Sequence, residues 1–155
     1  MQASNIRNSR PRACLLITLS VILFVFAPAC GQRPKGEPLA PIDGVFTVDA
    51  NGIKNGTAKF FSYNKGGKDV VFFVARSRSG NIKTAFDACI TCYPHRKGYR
   101  QEADRVVCIY CGTAFEIEDL DEGKGNCIPI KISHRLAGDK VVISQEEINR
   151  GVAWF

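Results

Sequence analysis

The sequence predicts a mainly β protein: a small antiparallel β meander or sandwich that carries two Cys-x-x-Cys metal-binding loops and ends in a short helix. Three observations lead there. Three consecutive segments have strand character, Thr57 to Tyr63, Asp69 to Arg76 and Asn81 to Phe86, separated by Lys65-Gly66-Gly67 and Arg78-Ser79-Gly80, which is the pattern of consecutive hairpins. Two Cys-x-x-Cys pairs follow, Cys89 with Cys92 and Cys108 with Cys111. Helical capping signals occur only at the C-terminal end, where Ser144 and Glu147 have capping-box spacing ahead of Ile148, and Gly151 can close the last turn.

Residues 1–30 read as a targeting segment. Arg7, Arg10 and Arg12 form a basic start without acidic residues, and Cys14 to Phe26 is an apolar stretch of signal-peptide length, too short to span a bilayer comfortably. It ends in Ala27-Pro28-Ala29-Cys30-Gly31, which resembles a bacterial lipoprotein signal with Cys30 as the lipid anchor. Signal-peptidase cleavage after Ala29, or an uncleaved anchor, are the alternatives, and all three place the domain outside the cytoplasm, on the periplasmic face or cell surface. Residues 31–40, rich in Pro, Gly and charge, suit a flexible tether. The remaining residues, 41–155, are enough for one modest core. Removing the three arginines takes the formal charge from +6 to +3, and so low a charge gives no reason to expect nucleic-acid binding.

Within that domain Val70-Val71-Phe72-Phe73-Val74 is apolar on both faces, so its strand is expected at the centre of the sheet, covered on both sides. Later strands are expected at Arg105 to Ile109, Ala114 to Ile117, Ile128 to Ser133 and Lys140 to Ile143. Val70, Phe72, Phe73, Val74, Val106, Phe115 and Ile117 are the expected core. Residues 93–105 hold little apolar surface, so their order is expected to come from a bound metal, whose ligation free energy becomes folding free energy.

The spacing Cys-x2-Cys-x15-Cys-x2-Cys is the most specific signal in the chain. Two such loops converge on four-coordinate geometry, and each turns backbone amides toward its sulfurs. Gly112, after Cys111, permits the positive φ such a loop needs; Tyr93 and Pro94 stand after the first pair, so the halves differ. The candidate metal ligands are Cys89, Cys92, Cys108 and Cys111. Their occupant is structural zinc, a single iron, or a two- or four-iron cluster. Covalent haem attachment is excluded, because neither pair is followed by His. Export also raises disulfide chemistry, with a thiol-disulfide oxidoreductase as the rival reading. Cys127 is a further ligand or reactive thiol, and His95 a further donor. Arg96, Lys97, Arg100 and Arg105, between the pairs, form a solvated face or dock an acidic redox partner.

Several motifs resemble the FtrD-like membrane iron-sulfur proteins: Phe72-Phe73-Val74-Ala75-Arg76, Ala85-Phe86-Asp87-Ala88-Cys89 with Cys92, Gly98-Tyr99-Arg100-Gln101, Cys108 with Cys111-Gly112, and Gly125-Asn126-Cys127-Ile128-Pro129. The resemblance covers about residues 45–155. It implies an iron-sulfur site beside a bacterial iron-permease partner in the membrane. A looser likeness, through Gly112-Thr113-Ala114-Phe115, is to Rieske domains, and implies a Rieske- or zinc-ribbon-like scaffold. A true Rieske centre is excluded, because Cys92 and Cys111 stand where its two histidines would be. Ser9-Arg10-Pro11-Arg12 is not a twin arginine, so an exported chain crosses unfolded and loads its metal outside, which favours zinc or a single iron over a cluster built in the cytoplasm. Together these point to electron transfer or metal handling, with a zinc-stabilised binding module as the alternative. No arrangement for catalysis is present: no Ser-His-Asp set, paired carboxylates or phosphate loop.

Overall fold

Residue alternation and turn glycines build a mainly β molecule, as the sequence predicts. The computed structural model describes residues 34, 36–122 and 124–155; the expected signal segment and Cys30 lie outside them. In chain order the strands are β1 (Glu37–Pro38), β2 (Val45–Asp49), β3 (Thr57–Lys65), β4 (Lys68–Arg76), β5 (Ile82–Cys89), β6 (Tyr99–Glu102), β7 (Arg105–Cys108), β8 (Ala114–Glu116), β9 (Pro129–Lys131), β10 (Arg135–Ala137) and β11 (Lys140–Ser144), followed by α1 (Gln145–Arg150). The main sheet has the order β1-β3-β4-β5-β9, and two three-stranded sheets have the orders β10-β11-β2 and β6-β7-β8.

β4 is the hub. Successive side chains of a strand point to opposite faces, so Phe72 and Phe73 serve different layers. Phe72 meets Phe46 of β2 edge-on, with centroids 5.8 Å apart, and on the other face Phe73 meets Tyr99 of β6 at 6.1 Å. Tyr99 in turn packs edge-on against Phe115 of β8 at 6.2 Å. Each small sheet thus covers one face of β4, which is why Val70 through Ala75 are all buried. The seven expected core residues are all at most 2% exposed.

Four strands went unread in the sequence. β2 and β10 are short, and β10 is exposed along its length, so neither carries a long apolar signature. β1 pairs in parallel with the edge of β3 within the expected tether, helped by a 2.8 Å ion pair between Glu37 and Lys59. β6 matters most for the site. Residues 93–105 are expected to wait for a metal, yet Tyr99 through Glu102 pair antiparallel with β7. The Gln101 side chain also accepts from Ala58 N and donates to Gly56 O. Protein contacts therefore order the second half of that segment.

At the C-terminal end the cap is half of the expected box. Ser144 accepts from Glu147 N at 3.2 Å, but the Glu147 carboxylate accepts from Ser133 N and Arg150 instead of returning to the cap. Gly151 does not adopt the left-handed conformation expected of a terminating glycine, having φ −71°. Its value is lack of bulk: a Cβ there would stand 2.1 Å from the Phe86 ring. The close approach seats Trp154 and Phe155 on Phe86, with centroids 5.1 and 6.5 Å away.

Candidate metal centre

β5 ends at Cys89 and β7 ends at Cys108, so the first cysteine of each pair is the last residue of a strand. After Cys89 the chain turns through Cys92 into a single 3-10 turn, Tyr93–His95, closed by Arg96 in the left-handed conformation. Gly98 brings it back at φ +67°, so close to β5 that a Cβ would stand 2.3 Å from Asp87 Oδ2. Only glycine fits there. The buried Asp87 carboxylate accepts from Tyr99 N at 2.5 Å, which ties β6 to β5 directly below the cysteines. The second loop is tighter: Gly112 N donates to Cys108 O, Cys108 N donates to Thr113 O, and Gly112 has φ +76°. Ile109 N donates to Gly98 O and joins the two loops.

A third segment completes the site. Lys124 and Cys127 close a small loop by mutual backbone hydrogen bonds, and Ile90 N donates to Ile128 O at 3.1 Å. Thr91 Oγ1 donates to Asn126 O. These contacts bring Cys127 to the Cys-x-x-Cys loops.

The sulfurs of Cys92, Cys108, Cys111 and Cys127 all lie within 4.8 Å of one another. Cys89 Sγ stands 3.1 Å from Cys127 Sγ. Three of the four sequence-expected ligands thus share a group with Cys127, and the fourth, Cys89, abuts that group through Cys127. All but Cys111 are buried, so one edge of the site reaches solvent.

Burial pushes the Cys92 thiol up to about 12, with the neighbouring Cys111, Cys108 and Cys89 sulfurs adding to the shift. Burial and the contact with Cys89 push Cys127 up as well. Cys111 goes the other way: burial opposes ionisation, but hydrogen bonds from the Thr113 hydroxyl and amide, and from Cys108 and Cys127, bring it down to about 6. At Cys89 burial is likewise outweighed, by the hydrogen bond with Cys127 and by the amides of Cys92, Thr91 and Ile128, so its thiol lies below the ordinary value. Several sulfurs compete for few protons here. A cation would resolve that competition by displacing the protons.

Tyr99 provides an independent indication. Its ring is wholly buried, and its hydroxyl has no hydrogen-bond partner. Burial, followed by the charges of Cys127, Cys89 and Cys108 and a polar contact with the Cys127 sulfur, opposes its ionisation, so the phenol is beside the sulfurs. An orphaned buried hydroxyl is costly. A thiolate held charged by a metal is an acceptor of the kind it lacks. Tyr99 stands opposite Cys108 in the β6-β7 pairing, and in the sequence only the Gly98-Tyr99-Arg100-Gln101 motif marks it.

Other expected site residues fall elsewhere. His95 is exposed and stacks on Tyr110 with centroids 3.6 Å apart, outside the sulfur group. Arg100 is paired with Glu102. The second histidine, His134, for which the sequence gives no site role, has Nδ1 2.8 Å from the Thr84 hydroxyl, and burial lowers its pKa.

Four soft thiolate donors, a buried setting and a hydroxyl awaiting a charged sulfur fit a metal centre. Comparison with curated proteins and with solved structures found no match. The family model described as membrane iron-sulfur containing protein, FtrD-like, matches residues 53–155, which include every cysteine of the site. The chain therefore belongs to the FtrD-like family of membrane iron-sulfur proteins.

Proposed function

We propose that this protein holds one iron ion in a four-thiolate site and works outside the cytoplasm, tethered through Cys30, as an electron-transfer or iron-handling component beside a membrane iron-transport partner. The observation that carries the reading is the mutual proximity of four sulfurs within 4.8 Å. A tetrahedral ion with metal–sulfur bonds of about 2.3 Å needs sulfurs about 3.8 Å apart, so a modest contraction suffices. A bridged cluster divides its cysteines among several irons and requires a wider set. Cys92, Cys108 and Cys111 are the constant ligands, and Cys127 supplies the fourth sulfur with Cys89 against it. A single iron in four thiolates is itself an iron-sulfur centre, consistent with the family, and supplies one-electron chemistry when bound.

The surroundings support exchange with a partner protein. Exposed Ile90, Tyr93, Tyr110 and Ile128 are sequence neighbours of the site cysteines, of which Cys111 is itself exposed. Segments 89–100, 108–115 and 124–131 contain no Asp or Glu, while Lys97 and Lys124 contribute positive charge. An apolar face with a basic edge suits a partner with an acidic rim. Among the described residues no helix is long and apolar enough to cross a membrane; the proposed attachment is supported by the apolar N-terminal stretch that ends in Ala27-Pro28-Ala29-Cys30.

Metal and acid-labile sulfide analysis, with an absorption spectrum of anaerobically purified protein, tests the reading. One iron per chain, a thiolate charge-transfer band and no inorganic sulfide are expected. Stoichiometric sulfide would replace the single ion by a cluster, and colourless protein with one zinc would replace it by a structural staple.

A further inference from the structure

The site holds five thiols, one more than a four-coordinate ion uses, and the surplus lies in a specific place. Cys89 Sγ is 3.1 Å from Cys127 Sγ, and both side chains are buried, 2% and 6% exposed. We propose that Cys89 and Cys127 form a dithiol–disulfide exchange site that reacts with a disulfide-bearing substrate, and that its oxidation and metal binding exclude each other.

The geometry is close to what the bond needs. A disulfide sets its sulfurs about 2.05 Å apart, so closure requires a movement of about 1 Å. Cys127 sits between exposed Asn126 and Ile128 in the loop closed by the Lys124–Cys127 bridge. Opening of that short loop exposes its sulfur without disturbing the strands. As the loop opens to solvent, the Cys127 thiol gives up its proton and attacks one sulfur of the substrate disulfide, breaking the S–S bond and forming a mixed disulfide, and the first substrate sulfur leaves as a thiol carrying that proton. Cys89 gives up its proton and attacks the Cys127 sulfur, and the second substrate sulfur leaves as a thiol carrying that proton. Two cysteine thiols are oxidised, one substrate disulfide is reduced to two thiols, and electrons and protons balance.

The consequence for the metal follows from ligand counting and rests on the metal reading above. Whichever of the two sulfurs fills the fourth coordination position, the disulfide consumes both. Cys92, Cys108 and Cys111 then remain as three ligands, and the ion is released or held far more weakly. Two closely spaced disulfides within the Cys-x-x-Cys loops would instead dismantle the constant ligands, and they are the competing outcome.

The test uses the purified full-length protein with oxidised glutathione as the disulfide. Peptide mapping under non-reducing conditions follows the bonds formed, and metal is counted in the same samples. The expected result is a Cys89–Cys127 bond appearing in step with metal loss, with rebinding after dithiothreitol. Cys89→Ser, loaded through Cys127, is expected to keep its metal under the same treatment. Bonds mapped within the Cys-x-x-Cys pairs, metal lost without the Cys89–Cys127 bond, or Cys89→Ser losing metal at the wild-type rate would overturn the proposal. If Cys89→Ser does not load, the wild-type map decides alone. Protein that never binds metal but still forms the Cys89–Cys127 bond would remove the metal reading and leave the exchange site standing.

Discussion

At the scale of single residues, the competition for protons among the sulfurs sets how the site takes up metal. Cys92, at about 12, and Cys127, also raised, are protonated at neutral pH, whereas Cys111, at about 6, is mostly ionised at pH 7.5. Metal must displace the first two protons, so affinity rises with pH above neutrality and falls more steeply below pH 6, where Cys111 also protonates. Calorimetry in buffers of different ionisation enthalpy should count at least two protons released per ion at pH 7.5. Tyr99 makes a second residue-scale prediction with opposite signs in the two states. Without metal its hydroxyl is an unpartnered buried group, so Tyr99→Phe should leave the apo protein equally stable or about 1 kcal/mol more so. With metal, the lost hydrogen bond to a thiolate should cost about 1.5–3 kcal/mol of the stabilisation by metal and lower the reduction potential, because the electron-rich reduced state gains most from the donor. Denaturation with and without metal, and a redox titration, check both signs. Equal effects in the two states would show that the phenol does not face the sulfurs.

At the scale of elements, the two Cys-x-x-Cys loops are not held alike. The first depends on Gly98, whose added Cβ would strike the Asp87 carboxylate at a positive φ. Gly98→Ala should cost at least about 1–3 kcal/mol from backbone strain alone and separate β6 from β5, seen as reduced metal affinity and earlier chemical unfolding. The segment between the pairs also divides in two. Residues 99–102 are paired with β7 and locked by Gln101, while residues 93–98 form only a 3-10 turn and its exit. In Cys108→Ser, proteolysis should reach 93–98 and the loop around Cys127 while sparing 99–102. Cutting within 99–102 would show that the metal orders the whole segment. The sequence reading missed this division, because Tyr99 is the lone large apolar side chain in 98–102 and its partner surface, Phe73 and Phe115, comes from strands distant in sequence.

For the whole molecule, β4 couples the core to the site through one of its faces. Phe72 and Phe73 are equally buried, but Phe72 packs on Phe46 and Phe61 while Phe73 packs on Tyr99 and Phe60. Phe72→Ala and Phe73→Ala should each cost about 3–5 kcal/mol. Only Phe73→Ala should also weaken metal binding, because the cavity opens beneath Tyr99. Similar metal affinity in both variants would show that the β6-β7-β8 sheet holds the site independently of the core. The tether belongs to this scale too. Cys30→Ser should move the protein from the membrane to the soluble fraction, and retention at the membrane with an intact N-terminus would indicate an uncleaved anchor.

The sequence alone determined the β class, the central doubly buried strand, the meander and the two Cys-x-x-Cys loops, because each is written in local periodicity or short spacing. Hydrophobic alternation identifies a strand, glycine-rich turns delimit it, and a two-residue gap between cysteines makes a chelating loop wherever it occurs. The family resemblance was legible for the same reason, since its motifs are contiguous runs. Which five sulfurs gather, and how, was decided by the tertiary structure. The approach of Cys127 depends on amide contacts between segments 90–91 and 126–128, and the isolation of the Tyr99 hydroxyl depends on a sheet assembled from β6, β7 and β8. Neither leaves a periodic trace, because both arise from side chains and backbone groups that meet only after distant strands have packed.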